Sequence, residues 1–451
     1  MFTSPQLSDR MATNELSAMK ILYFNKERRP CQQFLVIAPG LCYADEKGGM
    51  RMIITEHLET AVTASCDVLV CGGGFAGISA ALAAARQGKS VILLEKQYIL
   101  GGLGTAGLVT IYLPLCDGCG RQVSFGIAEE LLRLSVSMGH EGRYPDNWLD
   151  EADPARRTRE NQRFSVQYNP NLFAILAEQL LLKHGVTILY GTYAVGVSKE
   201  GDQIAAVLTE NKSGRQAIAS GTVVDATGDC DIARFAGVPT EIFGQGNVLA
   251  AWYYALGQQG YLLNPVGFAD IPEDRKTEDN RVSLLISGRF AGLEGAELSE
   301  LMQLSHAATL QDLLQKRATD PTVVPTAIAT TPQIRMTRRI AGEYTLHATE
   351  AHKFFADSIG MVSDWRKRGP VYEVPFSTLF SRKVKNLITA GRCTSVTDSM
   401  WDIMRVIPCC AVTGQAAGTA AALTQDFSSL DMGLLQTVLR KNGVVLHETD
   451  L

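Results

Sequence analysis

Asp67-Val68-Leu69-Val70-Cys71-Gly72-Gly73-Gly74-Phe75-Ala76-Gly77 decides the fold. The apolar, β-branched run up to Cys71 has the length of a parallel strand buried on both faces. The glycines that follow satisfy G-x-G-x-x-G, with Phe75 and Ala76 inside the motif. Gly72 permits a tight turn, Gly74 lets the backbone approach a pyrophosphate, and Gly77 lets a helix pack against the strand. Ile78 to Arg86 is a strong helix former stopped by Gly88, and Val91-Ile92-Leu93-Leu94-Glu95 reads as a second strand. The helix N-terminus presents unpaired N–H groups and partial positive charge to phosphates. Glu95 ends the second strand, where an acidic side chain can accept hydrogen bonds from ribose hydroxyls. Strand, glycines, helix, strand and acid occur in the order that a dinucleotide-binding unit requires.

Outward from this unit, Lys96 leads into Gly101-Gly102-Leu103-Gly104-Thr105-Ala106-Gly107. Further on come Asp225-Ala226-Thr227-Gly228-Asp229, Gln333-Ile334-Arg335-Met336-Thr337-Arg338-Arg339, Ala390-Gly391-Arg392-Cys393, Arg405-Val406-Ile407-Pro408-Cys409-Cys410 and Gly414-Gln415-Ala416-Ala417-Gly418. In this order the segments resemble the two-dinucleotide-binding-domain flavoproteins. Within these the sequence is most similar to a bacterial FAD-dependent oxidoreductase family, distantly related to fumarate reductases and heterodisulfide-reductase flavin subunits. The resemblance spans roughly residues 65–425.

The resemblance implies an α/β fold: a Rossmann-like FAD-binding domain of the glutathione-reductase type, with a β-meander and an inserted α+β substrate domain. It implies FAD, taken as noncovalent because the sequence carries no attachment motif. Lys96, Gly102, Leu103, Thr105 and Ala106 would wrap the diphosphate and flavin end. Ala226, Thr227, Gly228 and Asp229 would make the second contact, Gly391 and Arg392 a further turn, and Ala194 a backbone contact to adenine. Gly414, Gln415 and Ala416 would open a last helix aimed at the flavin pyrimidine.

Only one complete fingerprint is present, so no separate NAD(P)H domain is expected. The FAD-binding domain is expected over 61–235 and 386–451, with a substrate domain inserted at 236–385. Residues 125–185 read as helices flanking a polar stretch, and 186–224 as the meander, turning at Gly201-Asp202 and Ser213-Gly214. Residues 1–60 differ in texture and read as a poorly structured extension. Glu46-Lys47-Gly48-Gly49 suits the translation of a purine-rich ribosome-binding site, which makes Met50 or Met52 the expected start.

Composition narrows the class. The chain has 451 residues, 46% apolar and 20% charged, with a formal net charge of −5. That acidity argues against a nucleic-acid binder, and no apolar run approaches the roughly 18 to 20 residues that span a bilayer. Ten cysteines in a chain of this length do not read as a disulfide framework, and a reducing cytoplasm is expected. The expected partners are a small-molecule substrate and an electron donor or acceptor.

Several residues carry candidate chemistry. Placed on a helix, Arg335 would share a face with Arg338 or Arg339 and could clamp an anion, or form ion pairs with Glu343 or Glu350. Arg405 could stabilise an alkoxide or carboxylate, or contact FAD. His347 and His352 could act as general bases in oxidation of an alcohol or amine, with Tyr372 and Asp402 as weaker candidates. Cys116-Asp117-Gly118-Cys119 could relay electrons, and the basic run Arg156, Arg157, Arg159, Arg163 reads as a solvated loop. No metal site is expected. These features lead to a hydride-transferring oxidoreductase of a small alcohol, sugar-like molecule or amine. The alternatives are a reductase of an activated double bond, with arginine in place of histidine, or an electron-transfer subunit of a complex.

Overall fold

The computed structural model describes residues 42–44, 50–52, 56–119, 121–138, 166–267, 270–277 and 284–451. Within the unit Met1–Glu59, Cys42–Ala44 pairs antiparallel with Met50–Met52. The second unit, Thr60–Leu451, carries everything discussed below. The Arg156 to Arg163 run lies outside the described residues.

The second unit is built on a mixed sheet. Strand β1 (Val62–Cys71) leads through the glycine turn into α1 (Phe75–Arg86), and β2 (Val91–Leu94) returns parallel to β1. Helices α2 (Ile127–Val136) and α3 (Pro170–Lys183) follow. The chain then re-enters the sheet as β3 (Thr187–Leu189), parallel to β2. Strands β4 (Tyr193–Glu200), β5 (Gln203–Asn211) and β6 (Gly214–Asp225) make the antiparallel meander. The sheet order is β3-β2-β1-β6-β5-β4.

The two halves of β6 have different neighbours. Its first half pairs with β5, and its end, Val223 to Asp225, receives the parallel strand Leu387–Thr389 from near the C-terminus. Alternate residues of β1 feed two cores, because successive side chains of a strand point to opposite faces. Val68 and Val70 enter the larger core beneath α1, whereas Leu69 and Cys71 enter the smaller core on the other face.

Residues after β6 add a short helix, α4 (Asp231–Phe235), and β7 (Thr240–Ile242). A three-stranded sheet follows, made by β8 (Ala251–Gly257), β9 (Gly260–Val266) and β10 (Val324–Ile328), beside the long helix α5 (Gly295–Thr319). The arginine segment does not form the expected helix. Asn247 Oδ1 accepts the N–H groups of Arg335 and Met336 at 3.1 and 3.0 Å, and Arg338–Ile340 forms β11, antiparallel to β7. Such side-chain capture of backbone N–H groups competes with helix formation, so the i,i+3 face is never built.

Helix α6 (Asp398–Met404) leads into helix α7 (Ile407–Leu423), which lies against α1, and α8 (Met432–Lys441) follows and packs on α7. Among the described residues, no single helix is long and apolar enough to cross a membrane.

Candidate active site

The turn after β1 is held by its neighbours. Gly72 N–H donates to Leu94 O at 2.8 Å, and its φ of +107° is one that L side chains rarely adopt. A Cβ at Gly77 would stand 1.8 Å from Gly72 O, so only glycine lets the helix start this close to the turn. At Gly74 a Cβ would meet nothing within 4 Å. That face is open to a ligand.

Glu95 is 5% exposed, and both its oxygens are engaged: Gly73 N–H donates at 2.9 Å and Gln97 N–H at 2.7 Å. Burial pushes its carboxyl up, against those two bonds, which favour the charged form. The loop that follows lies against the turn, with Gly101 N–H donating to Gly73 O at 2.8 Å and Gly102 close to Gly74.

These elements wall a cavity of about 280 Å³, against about 10 Å³ for a second void beside Arg335. Gly72, Gly74, Phe75, Ala76, Glu95, Lys96, Gly102, Leu103, Ala106, Ala194, Ala226, Thr227, Gly228, Asp229, Arg392 and Arg405 all line the larger one. The sequence spread them from one end of the chain to the other, and the parallel strands gather them at their C-terminal edge. Cys71, Asp231, Ile407 and Cys410 join them, unanticipated from sequence. Cys71, Ile407 and Cys410 lay inside the quoted segments without being given a contact, and Asp231 lay just past the quoted A-T-G-D.

Six expected contacts sit elsewhere. Gly77 is behind the turn, as its packing role requires. Thr105 is buried, and its hydroxyl donates to Leu100 O, fastening the loop from within. Gly391 lies against α1, where a Cβ would stand 2.8 Å from the Ala76 methyl. Gly414, Gln415 and Ala416 do not open the last helix, because α7 begins two turns earlier at Ile407, with Pro408 in its first turn. Gln415 Oε1 instead accepts Ile127 N–H at 2.8 Å at the start of α2. The helix end that reaches the cavity is Ile407 to Cys410.

The catalytic candidates separate. His347 and His352 are both exposed and line neither cavity; His352 Nδ1 bonds Glu448 at 2.8 Å. The general-base assignment to them fails on position. Tyr372 is tied to Ala348 O at 2.9 Å, and burial pushes its hydroxyl up to about 12. Arg335 stands behind the cavity wall, donating to Gln333 O at 2.9 Å with its guanidinium over the Trp252 ring at 5.3 Å. Arg339 is structural, bonding Asp398 at 2.7 Å and Glu241 at 2.8 Å rather than Glu343 or Glu350. Cys116 is buried, Cys119 is exposed, and neither lines the cavity.

Arg405 does line it. The side chain is 7% exposed, and its Nη2 donates to Asp402 Oδ1 at 2.6 Å. Asp402 also holds Arg366 at 2.5 Å and approaches Arg275 at 3.6 Å. Nearby, Arg392 donates to Ile334 O at 2.7 Å and reaches Asp229 at 3.5 Å.

Comparison with known proteins places this geometry in context. Residues 67–250 and 250–439 match the family described as FAD dependent oxidoreductase. A 75-residue stretch is 35% identical to a thioredoxin reductase of Ureaplasma parvum, covering 17% of this chain and 24% of that protein. A 40-residue stretch is 60% identical to a 4-oxocyclohex-2-ene-1-carboxylate 5-dehydrogenase of Sinomonas cyclohexanicum, covering 9% of this chain and 7% of that protein. Each match thus spans under a quarter of the curated relative. Among solved structures, a geranylgeranyl bacteriochlorophyll reductase-like protein of Thermoplasma acidophilum is 15% identical with a TM-score of 0.42, over 86% of both chains. The p-nitrophenol 4-monooxygenase of Pseudomonas putida is 12% identical with a TM-score of 0.41, over 84% of this chain and 81% of that one.

Proposed function

The chain belongs to the FAD-dependent oxidoreductase family, and from that premise we propose that it exchanges hydride with a small organic substrate at a carbon activated by a neighbouring carbonyl group. The observation that carries this reading is the position of Arg405 at the cavity, with both candidate histidines at the surface. Oxidation of a plain alcohol or amine calls for a base to take a proton. Reduction of a carbonyl-activated double bond, or its reversal, calls for positive charge where oxygen becomes negative.

The residues fit FAD. Gly74 leaves the approach to a diphosphate open, the N-terminus of α1 supplies N–H groups to it, and Glu95 stands at the end of β2 for ribose. Bound FAD supplies the two-electron donor and acceptor. The chain does the rest. Phe75, Leu103 and Ile407 give the cavity apolar walls that exclude water. Arg405 and the start of α7 place positive charge on one side. Cys410 Sγ keeps its proton, since burial pushes the thiol up to about 12. The Sinomonas relative, named for an oxocyclohexene carboxylate, carries a carbonyl and a double bond of this kind in its named substrate.

The test is anaerobic spectroscopy of the flavin-loaded protein. Chemically reduced flavin should be reoxidised by enones or enoates and left reduced by their saturated analogues. Bleaching of oxidised flavin by simple alcohols or amines, with no response to enones, would return the assignment to the dehydrogenase reading.

A further inference from the structure

Helix α5 is 25 residues long, and it packs through one side. Leu301, Ser305 and Thr309 are buried, and Asp312 accepts the Tyr253 hydroxyl at 2.7 Å, which fixes that side against β8. The opposite side carries Glu300, Gln303, Ala307, Leu310, Leu314 and Arg317, all exposed. Their spacing alternates three and four residues, the heptad pattern of a seam between helices. Leu310 and Leu314 are each 54% exposed. On the sheet, Ile328 lies opposite Tyr253 and Leu262 opposite Ala255, so both share the face that holds α5, and both are exposed. Apolar surface gathered in this way marks an interaction site.

Charge along the seam identifies the occupant. From Leu301 to Lys316 the acidic and basic side chains are Asp312 and Lys316, which pair with each other at 2.5 Å. The middle of the seam is therefore free of charge, as the core of an interface is. Its ends differ in sign, with Glu300 at one and Arg317 at the other. Take a second copy of the helix, antiparallel about a two-fold axis between Ala308 and Thr309. Glu300 then meets Arg317 of the second copy, Gln303 meets Leu314, and Ala307 meets Leu310, each pair occurring twice. The small Ala307 leaves the hole that a leucine knob fills. The exposed residues beside the seam follow the same relation, Ser299 meeting Ala318 and His306 meeting Gln311, and no like charges face each other. A parallel copy would set Glu300 on Glu300 and Arg317 on Arg317. A two-fold contact requires this kind of self-complementarity.

We propose that the outer side of α5 is a homodimer interface, an antiparallel two-helix seam with a second copy of this chain. Residues 300–317 span about 27 Å of helix. A seam of that length, with Leu262 and Ile328 at its margins, sits at the low end of the roughly 1,200–2,000 Å² that stable interfaces bury. The dimer is accordingly one that dissociates on dilution. Leu298, on the same helix, lines the cavity, so pairing braces one wall of the cofactor site. The interface stands whatever reaction the cavity performs.

The experiment is sedimentation velocity of the full flavin-loaded chain over about 1 to 100 µM, which brackets micromolar association. The wild type is expected to pass from monomer to dimer within that range. Leu310→Glu should weaken association at least tenfold, with melting temperature and flavin absorbance of the monomer unchanged because the side chain is exposed. Glu300→Arg sets arginine against arginine twice and should weaken it about threefold or more, as exposed pairs do. Adding Arg317→Glu to Glu300→Arg should restore the wild-type constant, and this exchange decides the case if Leu310→Glu does not fold. A wild type that stays monomeric throughout overturns the second copy and leaves the face to another partner. A dimer that Leu310→Glu leaves intact puts the interface elsewhere and also overturns the proposal. So does a paired exchange that fails to restore what Glu300→Arg removes, since the antiparallel register is then wrong.

Discussion

The α-carbon of Gly414 lies against the carbonyl of Ala76: a Cβ at position 414 would stand 2.2 Å from that oxygen. One turn on, a Cβ at Gly418 would stand 2.0 Å from Ala80 O. These glycines therefore set the distance between α1 and α7, the two helices whose N-termini reach the cavity. Backbone cannot give way as a flexible side chain can. Gly414→Ala should cost about 1–3 kcal/mol, as overpacking does, and Gly414→Val more. Thermal melting of the FAD-loaded protein measures it, and an unchanged melting temperature would contradict the contact.

Glu95 holds two backbone N–H groups, and it cannot be exchanged for an amide without turning a donor toward one of them. Glu95→Gln should lower FAD affinity by about tenfold, close to the loss of one hydrogen bond to a charged group. Equilibrium dialysis of the apoprotein with FAD gives the value. An unchanged affinity would mean that the loop is held by its other contacts alone.

Asp231 borders the cavity, and burial, with Asp229 and Asp225 nearby, pushes its carboxyl up to about 6. A raised carboxyl favours the fold while protonated, so its contribution is present below the ordinary value of 3.8 and lost as pH rises through about 6. The negative charge gained over that interval also repels a diphosphate. FAD affinity should fall between pH 5 and 7, and Asp231→Asn should flatten that part of the profile. A profile that the variant leaves unchanged would assign the titration to another group.

Asp402 shows the opposite sign. Burial opposes its charge, but Arg405 and Arg366 more than offset this and hold its carboxyl below 3.8. Its contribution is present above the ordinary value and lost as pH falls through the lowered one. Asp402→Asn leaves three buried guanidinium groups short of a counter-charge. It should cost about 3–5 kcal/mol, measured by denaturant unfolding at neutral pH, with the gap to wild type closing in acid.

The exposed histidines give a further comparison. His347→Ala and His352→Asn should leave the rates of flavin reduction and reoxidation within twofold. Asn is the choice at 352 because His352 has a φ of 62°, which Asn tolerates. A loss of tenfold or more in stopped-flow traces would place a histidine in the chemistry.

The nucleotide half of the site was legible because glycine spacing, an alternation of apolar runs and a terminal acid are local properties. Gly72, Gly74 and Glu95 could be read without knowing what surrounds them. The arginine segment was not, because Gln, Arg and Met are good helix formers, and nothing nearby in sequence reveals that Asn247 takes the N–H groups of Arg335 and Met336. The start of α7 was misplaced for a related reason. Its first turn contains a proline and two cysteines, whereas Gly414 to Gly418 looks like an opening motif and is a packing seam. The ion-pair network was hidden as well, since Arg275 reaches Asp364 and Asp402, and Arg366 reaches Asp402, only through tertiary contact.

The end of β6 takes its last parallel neighbour from residues 387–389, and the cavity takes a wall from Ala390 to Cys410. A growing polypeptide therefore displays its glycine fingerprint long before it owns a complete binding site. Until those distal residues leave the ribosome, the nascent chain has a nucleotide motif with an open side. Cofactor capture is then a late event in biogenesis, and it secures the two ends of the unit together because a ligand stabilises only the state that binds it.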